Sequence, residues 1–198
     1  MKKKEDAKSI SEKAKNYFDQ GFNWAESISL SFKEYFEIKD SLIPRLATGF
    51  GGGIGRKGSL CGAFTGSIMT IGMKMGRTDP KDRETQLKVY EKCQAFWDKF
   101  EKEFGSRDCY KLTGYHLDDP EENKQWLTSG GREKCVAIVE KTAQMLCHFL
   151  NEIKWRYCFF EKIKISYFVM NTDFKKMKLV WIWCRINRNR YCLKPLSQ

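Results

Sequence analysis

The 198-residue chain has no C-x-x-C pair, only two histidines, only four prolines and no glycine after position 131. Without C-x-x-C there is no thioredoxin-type motif, no zinc ribbon and no C-x-x-C-H haem attachment. His116 and His148 are isolated, with no Ser-His-Asp arrangement, paired-carboxylate signature or Walker-type loop around them. A spanning helix needs about 18 consecutive apolar residues, and no such run exists. The most apolar segment, Leu60 to Met75, is interrupted by Gly62, Gly66 and Gly72 and by several hydroxyl side chains, so it reads as a tightly packed buried helix. No apolar run follows the N-terminal lysines, so no secretory signal is expected. Eight cysteines in such a chain suggest free thiols, metal ligands or a working dithiol in a reducing, cytoplasmic setting, more than a disulfide framework.

The formal charge of +11 is unevenly spread. Residues 151–198 hold 11 Lys and Arg against 3 Asp and Glu, a net of +8, which leaves +3 for residues 1–150. The main part is therefore nearly balanced, and no nucleic-acid partner is expected for residues 1–154. From about Trp155 the character changes. Ten of the 28 aromatic residues fall there, Lys, Arg, Ile and Asn fill much of the rest, and no clean period emerges. Residues 155–198 read either as a basic-aromatic interaction tail or, the favoured reading, as a poorly ordered or non-native extension of a domain spanning 1–154.

That domain reads as all-α, a compact bundle of six or seven helices. Apolar spacing predicts helices from Glu5 to Asp19, from Asn23 onward with Glu26 completing a capping box, and over a short stretch from Ser41 to Thr48. Further helices are expected from Ser59 to Met75, from Asp79-Pro80 to Phe104, from Arg107 to Thr113, around Pro120 to Trp126, and from Arg132 to Lys154. In the long fourth segment Leu87, Tyr90, Phe96, Trp97 and Phe100 are available for burial. The glycines inside the Ser59–Met75 helix each cost roughly 1 kcal/mol, which a helix tolerates where another backbone comes close.

Six glycines fall within Gly49–Gly58. Gly53-Ile54-Gly55-Arg56-Lys57-Gly58 matches G-x-G-x-x-G literally, but a short helix rather than a strand precedes it, so a dinucleotide fingerprint is not expected. Gly53, Gly55, Arg56 and the helix-capping Ser59 are candidates for an anion nest. The plainer alternative is a tight loop that lets helices approach.

Three cysteines fall near expected helix starts: Cys61 after Ser59, Cys109 after Ser106, and Cys135 after Gly130-Gly131. Arg56, Arg107 and Arg132 precede them. Unpaired amides and a partial positive charge at a helix start lower a thiol pKa and favour the thiolate. Cys61 is therefore expected to be the most activated thiolate, with Cys109 or Cys135 as resolving partner. As an alternative, Cys61, Cys109 and Cys135 with His116, water or an exogenous ligand could hold an iron–sulfur cluster or another thiolate-bound metal. Cys93 and Cys147 lie inside expected helices and read as core. Cys158, Cys184 and Cys192 belong to the tail.

Gly49-Phe50-Gly51-Gly52-Gly53-Ile54-Gly55-Arg56, Cys61-Gly62-Ala63-Phe64-Thr65-Gly66, Gly105-Ser106-Arg107-Asp108-Cys109 and the Cys135 helix resemble the C_GCAxxG_C_C family over about residues 8–150. The resemblance implies a redox-active protein marked by four cysteines, with an unidentified redox partner and an association with transporters. Three of the four cysteine positions match. Gly21-Phe22-Asn23-Trp24-Ala25 is similar to the segment of the first cysteine, with Trp24 in its place. Because Trp24 is expected to start a helix, the resemblance implies one pocket where four helix starts meet.

Overall fold

The structure is a computed structural model, and it describes residues 6–153. Among them run α1 (Ala7–Asp19), α2 (Trp24–Tyr35), a 3-10 helix η1 (Arg45–Phe50), α3 (Gly62–Met75), α4 (Arg83–Phe104), α5 (Cys109–Thr113), α6 (Pro120–Thr128) and α7 (Gly131–Glu152). The described part is all-α, as expected, and its one extended pairing is an isolated antiparallel bridge between Leu60 and Asp108. No helix among the described residues is long and apolar enough to cross a membrane. The reading of residues 155–198 lies outside the described residues.

Short polar side chains set most of the helix starts. Asp6, Asn23, Asp82, Asp108 and Asp119 each accept a backbone N–H from the first turn that follows. The box at α2 is complete: Asn23 Oδ1 accepts from Ala25 N and Glu26 N, and Glu26 Oε2 accepts from Asn23 N at 2.8 Å. The same pair reaches further. Asn23 Nδ2 donates to Thr48 O at 3.0 Å, and Thr48 Oγ1 donates to Glu26 Oε1 at 2.5 Å. The start of α2 is thereby fastened to η1, which occupies the end of the helix expected over Ser41–Thr48.

The core is one cluster in which α1 packs on α2 and α7, and α3 lies against α2, α4, α7 and η1. The seam between α2 and α3 is built from small residues. A Cβ at Gly66 would sit 2.8 Å from Ala25 O and 2.9 Å from Ala25 Cα, and one at Gly62 would sit 2.9 Å from Trp24 Cβ. Buried hydroxyls in the seam are satisfied along their own helices: Ser29 donates to Ala25 O, Ser67 to Ala63 O and Thr70 to Gly66 O. Gly72 differs from its two companions, because a Cβ there meets nothing within 4 Å. The expectation of close backbone approach therefore holds for Gly62 and Gly66 and fails for Gly72.

Helix α4 also corrects its expected face. Phe96 and Phe100 are fully buried and Trp97 partly so, but Leu87 is 63% exposed and Tyr90 53% exposed. The fully buried residues of α4 lie in its C-terminal half, while Val89 and Cys93 pack against the core only partly buried.

These contacts give a prediction with opposite signs. Gly66→Ala is expected to destabilise the fold by about 1–3 kcal/mol through overpacking, while Gly72→Ala is expected to stabilise it by about 0.5–1 kcal/mol through helix propensity. Urea unfolding of the two variants checks this, and equal shifts in the same direction would contradict the seam.

Candidate thiol site

The Leu60–Asp108 bridge brings two cysteines together. Cys61 N donates to Arg107 O at 2.8 Å, and Cys109 N donates to Ser59 O at 2.6 Å. Cys61 and Cys109 thus lie one step beyond the bridged pair on their own strands, on the same face and diagonal to each other. Immediately after the bridge each chain turns into a helix. Cys61 is the N-cap residue of α3, and Cys109 is the first residue of α5, capped by Asp108. The caps expected at Ser59 and Ser106 are therefore each displaced by two residues, because the extended pairing claims Ser59.

The glycine loop roofs this pair. Gly53 has φ +75°, and a Cβ there would lie 2.7 Å from Cys109 Cβ and 2.6 Å from Ser59 N. Only glycine fits both the left-handed backbone and that contact. The backbone from Gly52 to Arg56 stays left-handed throughout, including Ile54 at φ 63° and Arg56 at φ 67°. Its amides turn inward: Gly55 N donates to Gly49 O, Arg56 N to Gly51 O, Gly58 N to Gly52 O and Ser59 N to Gly53 O. Of the anion-nest candidates Gly53, Gly55, Arg56 and Ser59, the amides of Gly55, Arg56 and Ser59 are thereby used within the loop, and Lys57 pairs with Asp118 at 2.6 Å.

Trp24, the first residue of α2, packs beside Gly62, and its indole lies 6.0 Å from that of Trp126 and 5.4 Å from the ring of Phe18. Both indole N–H groups reach toward the sulfur of Cys135, in the second turn of α7. The Trp126 N–H closes no well-formed hydrogen bond and stays buried without a partner. Gly131 makes this approach possible, since a Cβ there would lie 2.1 Å from Trp126 Cδ1. The sulfurs of Cys61, Cys109 and Cys135 feel one another's charge, and all three residues belong to one core cluster. Trp126 has no weight in the sequence beyond marking a helical turn. The available signal is an indole beside Leu127 in an otherwise mostly polar nine-residue helix.

The electrostatics correct the expected activation. Burial pushes the Cys61 thiol from 9.0 up to about 11, against the opposing pull of the Ala63 and Phe64 amides at the start of α3. Those amides face the sulfur without completing a cap hydrogen bond. Burial likewise raises Cys109, helped by the charges of Cys61, Cys135 and Asp108. Cys135 is raised by burial too, but the two indoles and Lys134 favour its thiolate. Charge on Cys135 opposes ionisation of both Cys61 and Cys109. The arginines are committed elsewhere: Arg107 pairs with Glu101 at 2.6 Å and covers the Trp97 ring, and Arg132 pairs with Asp19 at 3.2 Å. Arg56 is exposed.

No three His, Cys, Asp or Glu side chains among the described residues are arranged to hold a metal ion. His116 is exposed and stacks on Tyr110 at 4.2 Å instead of joining the cysteines. The metal or iron–sulfur alternative on Cys61, Cys109 and Cys135 does not fit this donor set. Cys147 is core, as expected, whereas Cys93 is half-buried beside Phe64 and Trp97 in an apolar groove.

The model of the family described as "Putative redox-active protein (C_GCAxxG_C_C)" matches residues 22–149. The chain belongs to this family. An uncharacterized protein of Archaeoglobus fulgidus is 30% identical over 136 residues, covering 66% of this chain and 80% of that protein. No solved structure matches the chain. As a C_GCAxxG_C_C protein it puts an indole where the resemblance implies a first cysteine, and that indole lies against the sulfur of Cys135.

Because the folded state holds the Cys61 proton more tightly than the unfolded chain does, its contribution to stability is present below pH 9.0 and is lost as pH rises to about 11. The urea midpoint is expected to fall across that window, and to fall less in Cys61→Ser. Iodoacetamide labelling of native Cys61 should accelerate over the same range. Complete labelling near neutral pH would contradict the burial argument.

Proposed function

We propose that this protein is a thiol redox carrier in which Cys61 cycles between a dithiol and a disulfide with a neighbouring cysteine. The observation that carries this reading is the convergence of Cys61, Cys109 and Cys135, from three separate segments, in one buried cluster within reach of one another's charge. Cys61 is the chosen centre because the Leu60–Asp108 bridge sets it diagonal to Cys109, and because it also couples to Cys135. In the forward step two thiols lose two protons and two electrons, and one S–S bond forms. The electrons pass to an acceptor outside the chain.

Burial suits such a carrier. A neutral dithiol and a neutral disulfide both sit in an apolar core without stranding a charge, and a covered pair is protected from adventitious exchange. The indole at position 24 leaves three thiols for the cycle, one pair and one spare. The alternative of an anion-binding, transporter-associated partner finds no support in the loop, whose Gly55, Arg56 and Ser59 amides are spent internally.

Equilibration of the full-length protein in glutathione redox buffers tests the reading. Peptide mass mapping is expected to find a disulfide containing Cys61 in the oxidised state, with Cys93 alkylated in both states. Cys61→Ser is expected to remove that disulfide. Mapping that never finds Cys61 bridged to Cys109 or Cys135 would reject the proposal.

A further inference from the structure

Cys109 is 4% exposed. Thiol–disulfide exchange needs an attacking sulfur to reach its target in line, so part of the structure must move before this thiol meets a partner. The glycine loop lies directly on it, since a Cβ at Gly53 would sit 2.7 Å from Cys109 Cβ. The loop is tied at its two ends. Asn23 Nδ2 donates to Thr48 O before it, and Cys109 N and Tyr110 N donate to Ser59 O and Gly58 O after it. Among the described residues, the backbone hydrogen bonds of Gly51 to Lys57 all run within residues 48–59. Between the ends, the Lys57–Asp118 pair fastens the loop across exposed surface, where such a pair contributes little.

The tip of the loop adds little to the core. Ile54 is 44% exposed, and Gly55, Arg56 and Lys57 beside it are exposed. Segments with few buried apolar contacts and exposed backbone hydrogen bonds open locally at a lower cost than the whole fold. The loop also holds strain that opening releases. Ile54 at φ 63° and Arg56 at φ 67° are left-handed, a conformation costly to side chains other than glycine and most unusual for a β-branched one. Such outliers persist only where the surroundings enforce them. Here the enforcement is the loop's own set of hydrogen bonds, which water replaces once the loop unrolls.

We propose that residues 52–58 are a lid over Cys109, which opens by unrolling of their left-handed run while the helices stay folded, and so exposes that thiol to an exchange partner. The use of the lid rests on the redox-carrier reading; its motion does not. Closed, it keeps the thiol from adventitious exchange. Open, it uncovers Cys109 without separating α3 from α2 or α7 from α1, so the elements that carry the fold stay packed.

The test follows initial rates of iodoacetamide labelling at pH 9 in fully reduced, full-length protein, with peptide mass mapping of Cys109 and Cys147. Cys147 is 1% exposed inside α7 and reports unfolding of the helices. Cys109 is expected to label about tenfold or more faster than Cys147. Low concentrations of urea are expected to leave the Cys109 rate nearly flat, while the Cys147 rate rises about tenfold or more per molar. A Cβ at Gly55, where φ is +58°, meets nothing within 4 Å, so Gly55→Ala adds left-handed strain without a clash. It is expected to speed Cys109 labelling about tenfold, and Ile54→Asn, which suits a left-handed backbone, to slow it about fivefold. Gly66→Ala, which overpacks the α2–α3 seam and leaves the loop intact, is expected to speed Cys147 alone. Equal rates at the two cysteines, equal urea dependence, a Cys109 rate that follows Cys147 in Gly66→Ala, or one unmoved by the two loop variants would overturn the lid. Alkylation needs no oxidant, so the two readings fail separately. A Cys61 disulfide in glutathione buffers with no lid behaviour leaves the carrier standing, and lid behaviour with no such disulfide rejects the carrier.

Discussion

Two hydrogen bonds hold this architecture to its site: Cys61 N to Arg107 O and Cys109 N to Ser59 O, either side of the Leu60–Asp108 bridge. Without them the starts of α3 and α5 belong to segments more than forty residues apart in the chain. With them, two cysteines stand on one face of a minimal two-stranded pairing, and each chain turns into a helix directly afterwards. The glycine loop follows from the same constraint. Its left-handed run closes Ser59 N onto Gly53 O and lays Gly53 on Cys109 Cβ, so a side chain at position 53 would lift the roof off the pair.

A second framework delivers Trp24 to the same place. The Asn23–Glu26 box starts α2 and ties it to Thr48, while Gly62 and Gly66 let α3 slide against α2 close enough for Trp24 to touch the start of α3. Cys135 arrives from α7, whose packing on α1 and α3 is part of the core. The site is thus bounded by elements that also carry the fold's stability. A pair of indoles lines it where helix ends alone would leave apolar wall.

The balance of effects at the sulfurs depends on magnitude. A helix start contributes about half a positive charge, worth about 0.3–1 kcal/mol at exposed sites. Removing a charge from water shifts buried groups by up to several pKa units, at about 1.36 kcal/mol each. At Cys61 the amides of Ala63 and Phe64 pull down and burial pushes up, and burial wins. Helix-start position therefore predicts the direction of one force and misses the larger one, because burial depends on what packs over the sulfur. At Cys135 the N–H groups of Trp24 and Trp126 oppose the effect of burial, and no local feature of the Cys135 helix announces them.

Local chemistry was sufficient for the helical fold. Capping side chains, the αL glycine after Phe104 and the apolar spacing lie within a few residues of the ends they specify, so helix positions, the capping box and the central place of α3 were legible from the chain alone. The three cysteines were legible as candidates for the same reason. What only the tertiary structure decided is which forces those cysteines feel. The extended bridge took Ser59 and left Cys61 as the cap, the loop spent its own amides, the arginines went to Glu101 and Asp19, and Trp126 came to Cys135. The bridge and the Arg132–Asp19 pair join residues far apart in sequence, and even the nearer contacts depend on how a loop or a helix pair turns back on itself, which a pattern read along one stretch of chain does not fix.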